Sequence, residues 1–162
     1  DTATKMNPPL RSEADRRAVL EGLRDGTIDC IATDHAPHTI DDKKVEYDQA
    51  AFGIVGLETA VALGLDRLVA AGPLDLSQLV ALLSTKPARV LGLPGGTLAP
   101  GSPADLTVLD LTRKRKVDPA EFASKGRNTP FAGWTLTGWP VMTVVGGRVV
   151  YDDVHPRARR GL

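Results

Sequence analysis

A short apolar segment followed directly by a polar cluster constrains the fold of this chain more than any other feature. Residues 28–32 (IDCIA) are mostly apolar and rich in β-branched side chains, which predicts a buried strand. A helix is predicted before it, with Ser12 as N-cap, Asp15 three residues later and Gly26 as the C-terminal stop. The polar cluster, residues 33–38 (TDHAPH), begins where the predicted strand ends.

Helical periodicity continues beyond the polar cluster. It favours helices over residues 54–71 and 77–83 and a short helix from Pro87, because proline is favoured at the first helical position. Helix, strand, polar loop and helix in succession are typical of an α/β protein.

The C-terminal part of the chain has a different texture, with many glycine and proline residues and short apolar runs. Residues 106–109 are predicted to form a strand, and residues 141–151 a hairpin. Gly146-Gly147 would supply the positive φ angles of its two-residue turn. We therefore predict two units, an α/β unit over residues 1–93 and a β-rich unit with a tail over residues 94–162.

Composition excludes several classes of protein. The 162 residues include 20 basic and 20 acidic side chains, so the formal net charge of zero predicts no nucleic-acid or anionic-membrane partner. The N-terminus is polar and no apolar run is long enough to span a bilayer, which predicts neither a signal peptide nor a membrane segment. The single cysteine, Cys30, cannot form an intrachain disulfide; we expect a buried structural thiol and a cytoplasmic protein.

Asp34 is the first candidate functional residue, because it follows the predicted strand directly. In a parallel α/β barrel, functional groups lie at the C-terminal ends of the strands, where a carboxylate can bind a metal or transfer a proton. The alternative is that Asp34 caps a turn. His38 can ligate a metal, bind an anionic substrate or simply lie in a loop, and Pro37 stiffens its backbone. His35 is interpreted as structural.

Two further segments are candidates for ligand contacts. Asn7, in a proline-rich loop, offers both a donor and an acceptor, although Asn-Pro is also a common turn. Phe52-Gly53 can let a ligand approach the backbone closely, or can form an ordinary loop-to-helix junction. The charged residues 41–48 are predicted to form a mobile surface loop and, as a further hypothesis, a lid over substrate.

Four segments together resemble the dihydroorotase family of the amidohydrolase superfamily, in its longer bacterial form. They are residues 5–11 (KMNPPLR), 31–38 (IATDHAPH), 52–58 (FGIVGLE) and 124–131 (SKGRNTPF). They follow the order and approximate spacing of that family and span most of the chain. The resemblance implies the C-terminal part of an amidohydrolase-type (β/α)8 barrel with a small β-sandwich domain.

The resemblance also implies a reaction, the reversible hydrolysis of L-dihydroorotate to N-carbamoyl-L-aspartate in pyrimidine synthesis, with one or two zinc ions. Asp34 would be both a zinc ligand and the general acid/base. Asn7 and His38 would bind the substrate carboxylate and ring. The backbone at Ala36 and at Phe52-Gly53 would complete the pocket.

The chain departs from that family in what it lacks. The His-x-His zinc pair of the family is absent, and the other metal ligands lie on earlier barrel strands. We therefore expect an N-terminal barrel segment to accompany this chain. We also expect the assembled enzyme to be a homodimer, with aspartate transcarbamoylase as a candidate partner.

Three alternatives stay open. The first is a hydantoinase or allantoinase of the same fold and chemistry. The second is a non-catalytic dihydroorotase-like partner of aspartate transcarbamoylase, although retention of Asp34 and His38 favours catalysis. The third is an inactive fragment.

Overall fold

The computed structural model describes residues 1–155, in which all the longer helices precede the strands. The helices are α1 (Glu13–Asp25), α2 (Ile40–Lys43), α3 (Leu57–Leu63), α4 (Leu76–Val80) and α5 (Lys86–Val90), and the strands are β1 (Leu106–Lys116), β2 (Thr135–Val145) and β3 (Arg148–Asp152). Single 3-10 turns cover Thr2–Thr4 and Pro119–Glu121. No helix in this part of the chain is both long and apolar enough to cross a membrane.

Helix α1 begins and ends as its sequence predicts. The Ser12 hydroxyl accepts a hydrogen bond from the Asp15 amide, and the Asp15 carboxylate accepts one from the Ser12 amide, which forms a capping box. Gly26 ends the helix in the left-handed conformation, with φ of 86°. Both predictions are confirmed because they depend only on neighbouring residues.

The strand predicted over residues 28–32 is not formed. This segment is extended, but its Ile31 amide donates to the carbonyl of Leu82, in the helical layer, at 3.0 Å. A strand requires a neighbouring strand with which to form a ladder, and residues 1–155 provide none beside this segment. Cys30 is also only half-buried, so the expected buried thiol is wrong.

The predicted helices form with shifted boundaries. Helix α3 begins at Leu57 rather than residue 54, and it continues as a π-helical stretch over Gly64–Ala70. A Cβ at Gly64 would lie 2.9 Å from Leu79 Cδ1, so glycine allows this π-helical stretch and α4 to approach closely. Helices α4 and α5 are joined by a π-helical stretch over Ala81–Thr85, so the two helices predicted here form one segment.

The three strands form one antiparallel sheet in the order β1-β2-β3. The turn between β2 and β3 contains Gly146 and Gly147, with φ of 54° and 77°, so the predicted hairpin is confirmed. The register of β1 and β2 shifts between Asp110 and Lys114, where the Asp110 carboxylate accepts hydrogen bonds from the Thr112 and Arg113 amides.

Within residues 1–155, two small apolar clusters connect the helices to one another and to the sheet. One joins α3 to the sheet and contains Ala62, Val117, Leu136 and Trp139. The other joins α1 to the later helices and contains Leu23, Leu74 and Leu82. Several large apolar side chains remain exposed, among them Leu57 at 62% and Val90 at 67%, so an extensive apolar surface faces outward in residues 1–155.

Candidate functional site

Asp34 has a backbone conformation that sets it apart from its neighbours. Its φ is 44°, and in residues 1–155 it is the one non-glycine residue with a positive φ. Such a conformation costs of order 1–3 kcal/mol and persists where the surroundings impose it, often at functional sites. The Asp34 side chain is exposed, so its carboxylate is accessible to a ligand.

His35 is held by hydrogen bonds on both ring nitrogens. Its Nδ1 accepts from the amides of Gly56 at 3.1 Å and Leu57 at 3.3 Å, so the ring proton lies on Nε2. That Nε2 lies 3.2 Å from Ser124 Oγ. A nitrogen that already carries its proton cannot accept one from Ser124, so this pair does not form a serine nucleophile and base. The interpretation of His35 as structural agrees with these contacts.

Glu58 completes the contacts around Ser124. Its Oε1 accepts from the Ser124 amide at 2.9 Å, while Oε2 is buried without a hydrogen-bond partner in residues 1–155. Burial opposes ionisation and is the largest single influence, but the hydrogen bonds from Ser124 and the proximity of His35 together lower the pKa of Glu58. The ionised Glu58 therefore anchors residue 124 against the start of α3.

His38 lies against the Phe52-Gly53 segment. Its Nε2 is 2.8 Å from the Phe52 carbonyl, which can only accept, so Nε2 donates and Nδ1 is the ring atom that this bond leaves unused. The Gly53 φ is 114°, and a Cβ there would lie 2.5 Å from the Ala36 Cβ. Glycine is required at this position by conformation and by space together.

The backbone groups of the predicted pocket are largely occupied by protein partners. The Ala36 amide donates to Ile54 at 2.9 Å, and the Gly53 amide donates to the Lys5 carbonyl at 3.0 Å. A ligand can therefore reach these residues through carbonyl lone pairs or apolar contacts, not through those two amides. Asn7 is exposed and lies two residues along the chain from the Lys5–Gly53 bond. The bonds thus tie together the segments that carry Asn7, Ala36, His38 and Gly53.

The charged residues 41–48 are not a simple loop. They contain most of α2, whose N-cap Thr39 forms a capping box with Asp42. Lys43 is only 7% exposed, and its Nζ donates to the Ala51 carbonyl at 2.7 Å. Burial, and to a lesser extent the nearby Lys5 charge, lower the pKa of Lys43. Residues 41–43 of this segment are therefore helical and bonded to the protein, which corrects the prediction of a loop there; the mobility of the segment stays a prediction.

Lys5 holds the other end of the same segment. It is 7% exposed, and its Nζ donates to the Asp48 carbonyl at 2.8 Å. The ammonium group lies 4.5 Å from the centre of the Phe52 ring, within the range of a cation–π contact. Lys5 belongs to the N-terminal motif but received no role from the sequence.

No metal-binding cluster exists within the described residues. In residues 1–155, no three His, Cys, Asp or Glu side chains lie together in a way that could hold a metal ion. Structural and catalytic zinc sites use at least three protein ligands. Asp34 fits as one oxygen ligand of such a site, and the described residues do not make a whole one.

An open apolar cavity of about 540 Å³ adjoins the segment that leads to Asp34. Its lining includes Ile31, Thr33, Leu63, Leu79 and Trp134. The cavity touches the polar cluster only at Thr33, and its walls are mostly apolar, although Arg16 and Arg67 also line it.

Comparisons with known proteins identify the family. The model of the amidohydrolase family matches residues 6–150. The chain belongs to the amidohydrolase family. Among curated relatives, the dihydroorotase of Pelotomaculum thermopropionicum is 63% identical over 94% of this chain, and that of Brevibacillus brevis is 58% identical over 95%. In each case the match covers 36% of the relative, so this amidohydrolase chain spans about a third of the length of those proteins.

Solved structures give the same fold. The L-hydantoinase (dihydropyrimidinase) of Arthrobacter aurescens matches 92% of the chain with a TM-score of 0.87 and 39% identity. The D-hydantoinase (dihydropyrimidinase) of a Thermus species matches 94% with a TM-score of 0.86 and 30% identity. Each match covers 34% of the hydantoinase chain. The described helices and strands are therefore arranged as in part of an amidohydrolase enzyme.

Proposed function

We propose that the polypeptide containing this chain is a dihydroorotase, which interconverts L-dihydroorotate and N-carbamoyl-L-aspartate in pyrimidine synthesis. The observation that carries the proposal is the 63% identity to a curated dihydroorotase over 153 residues, 94% of this chain. The exposed Asp34 and the linked segments of Asn7, His38 and Phe52-Gly53 support it, because they provide a carboxylate beside polar groups suited to an anionic ring.

In this proposal Asp34 is the residue that transfers protons. During hydrolysis its carboxylate takes the proton from the attacking water and delivers it to the departing ring nitrogen; during cyclisation the transfers run in reverse. Asn7 and His38 bind the substrate carboxylate and ring, and the surfaces of Ala36, Phe52 and Gly53 line the pocket. The positive φ of Asp34 supports an aimed carboxylate, since a relaxed backbone would direct the side chain differently.

Zinc is the metal we propose for this site, as one or two ions. Bound zinc lowers the pKa of water to about 7 and polarises an amide carbonyl as a Lewis acid. Asp34 would hold it together with ligands from outside the described residues.

We further propose that residues 1–93 complete a (β/α)8 barrel with an N-terminal segment, and that the β-rich part of residues 94–162 belongs to a small β-sandwich. The end of the predicted tail, residues 156–162, lies outside the described residues. Three features support this: the extended segment 28–32 without a neighbouring strand, the open apolar cavity and the exposed apolar side chains. We propose that the assembled protein is located in the cytoplasm. The proposal of a homodimer, with or without aspartate transcarbamoylase, is based on the family resemblance alone. The mass of the purified complex tests it.

A second candidate is a hydantoinase-like cyclic amidohydrolase, favoured by the 39% identity to the L-hydantoinase structure. Substrate kinetics of the full polypeptide, encoded by the gene that carries this chain, distinguish these two candidate functions. We expect kcat/KM for L-dihydroorotate to exceed that for dihydrouracil and for hydantoin by at least about a hundredfold, because the substrate carboxylate contributes charge-assisted hydrogen bonds. Equal or better turnover of the uncharged rings would contradict the dihydroorotase assignment. No turnover of any cyclic amide, in zinc-loaded protein, would support the non-catalytic alternative.

A further inference from the structure

Asn128 is a buried polar residue whose side chain, within residues 1–155, forms hydrogen bonds only with the predicted pocket segments. It is 8% exposed. Its Nδ2 donates to the Ala36 carbonyl at 2.9 Å and to the Gly53 carbonyl at 3.1 Å. Its Oδ1 accepts from the His38 amide at 2.9 Å. All three side-chain bonds therefore end on residues that flank the proposed ligand site.

These bonds join two segments that are distant in sequence from residue 128 and from each other. Ala36 and His38 belong to the loop after Asp34, and Gly53 belongs to the segment before α3. The Asn128 carbonyl also accepts from the Val55 amide at 2.9 Å, so backbone and side chain both hold the second segment. Asn128 thereby spans the gap between the two walls of the pocket.

A carboxamide suits this position better than other side chains of its size. It supplies two donors for the two carbonyls and one acceptor for the amide. A leucine would fill a similar volume but leave three buried backbone groups without partners, each at a cost. An aspartate would keep the acceptor and place a negative oxygen against two carbonyl oxygens.

Close packing prevents another residue from compensating. A Cβ at Gly126 would lie 2.7 Å from Pro37 Cβ and 2.8 Å from Asn128 Oδ1, so the chain before Asn128 is pressed against the Pro37 loop. Within residues 1–155, the two walls are also joined by the Ala36–Ile54 backbone bond, the His38–Phe52 contact, and the bonds that the Gly56 and Leu57 amides donate to His35. None of these bonds ends on Gly53, whereas the Asn128 side chain bonds to Gly53 and Ala36 together.

We propose that Asn128 is a positioning residue that sets the spacing between His38 and the Phe52-Gly53 backbone, and hence the affinity for the cyclic amide substrate. The inference rests on the proposed function and deepens it. Asn128 acts through its neighbours and has no contact with Asp34 in the proposed chemistry, so the effect falls mainly on KM rather than on kcat.

The test compares Asn128→Leu and Asn128→Asp with wild type in the full zinc-loaded polypeptide. Loss of these bonds is expected to raise KM for L-dihydroorotate by about tenfold to a hundredfold, with a change in kcat below about fivefold. In Asn128→Asp, burial against two carbonyl oxygens should raise the pKa of the introduced carboxyl, so the ratio of its KM to that of wild type is expected to fall as the pH is lowered, because a protonated carboxyl regains one donor.

A matched control is Trp139→Phe, which removes the buried bond from Trp139 Nε1 to the Leu136 carbonyl, of 3.0 Å, inside the sheet. It is expected to lower the melting temperature and leave KM within about twofold. If the Asn128 variants lose stability as Trp139→Phe does but keep a wild-type KM, the positioning role is wrong.

Hydrogen exchange distinguishes failure of this inference from failure of the proposed function. Asn128→Leu is expected to increase exchange at the amides of residues 36–38 and 53–55 and to leave residues 135–145 unchanged, whatever the substrate. If wild type prefers another cyclic amide, the same KM comparison is made with that substrate and the dihydroorotase assignment alone is rejected. Unchanged exchange at both segments overturns the inference in every case.

Discussion

The contact between Gly53 and Ala36 allows a perturbation whose cost can be divided into two parts. Gly53→Ala forces an L side chain to adopt a φ of 114°, which costs roughly 1–3 kcal/mol. The new Cβ would also lie 2.5 Å from the Ala36 Cβ, and relief of such overpacking costs about 1–3 kcal/mol more. We therefore expect Gly53→Ala to lower the free energy of unfolding by about 2–6 kcal/mol.

Two further variants separate these contributions. Gly101 has a φ of 88° and nothing within 4 Å of its added Cβ, so Gly101→Ala reports the backbone cost alone. Ala36→Gly removes the atom that clashes with the new Cβ, and the next contacts of that Cβ, at 3.6 Å and 3.8 Å, are ordinary van der Waals distances. The double variant Gly53→Ala/Ala36→Gly should therefore recover about 1–3 kcal/mol in a double-mutant cycle.

The assay is urea denaturation of the full polypeptide at fixed zinc concentration, since bound metal contributes to the apparent stability. The KM for L-dihydroorotate is measured in parallel and should rise in Gly53→Ala and partly recover in the double variant. The claim that the pocket walls are in rigid contact would be refuted by either of two results. One is a Gly53→Ala variant that is no less stable than Gly101→Ala. The other is a double-mutant cycle in which the effects of Gly53→Ala and Ala36→Gly are additive.

Three other perturbations test the surroundings of the site. Ser124→Ala should leave kcat within about threefold, because His35 presents a donor to it; a loss above about a hundredfold would indicate a serine nucleophile instead. The pKa of Glu58 in the folded protein lies below its ordinary value of 4.5. The ionised Glu58 therefore stabilises the fold above pH 4.5, and this stabilisation is lost as the pH falls through the folded-state pKa. Glu58→Gln should therefore melt earlier than wild type at pH 7, with a difference that shrinks below pH 4.5; a difference independent of pH would contradict this. Lys5→Met should increase hydrogen exchange of residues 44–51, whereas the exposed Lys44→Met should not, and equal effects would exclude anchoring by Lys5.

Local signals in the sequence predicted local structure well. The capping box of Ser12 and Asp15, the stop at Gly26 and the Gly146-Gly147 turn depend on neighbouring residues, and all three are confirmed. The strand over residues 28–32 was wrong because strand formation depends on a distant neighbour, which the described residues lack. The boundaries of α3 moved for a similar reason, since the residues before Leu57 bond to other segments instead of forming a first helical turn.

The roles of the candidate site residues stay predictions, but the structure shows how the segments that carry them are arranged. Asp34, His38 and Gly53 drew attention by their position and chemistry, and the structure links the segments that carry them. The contacts of Asn128 could not be predicted from the sequence, because they reach residues 75 to 92 positions away. One signal in the sequence could have pointed to Asn128, since it is an amide side chain within the motif of residues 124–131.

The most direct test of the central claim is Asp34→Asn in the full polypeptide, with zinc content, stability and L-dihydroorotate hydrolysis measured on the same sample. Asparagine tolerates the left-handed conformation of residue 34, so the metal-free variant should be as stable as metal-free wild type. Because the amide cannot carry the proton and is a weaker metal ligand, hydrolysis should fall by at least about a thousandfold and bound zinc should decrease. A variant that retains wild-type zinc and turnover would show that Asp34 is not the proton-transferring residue and would contradict the account.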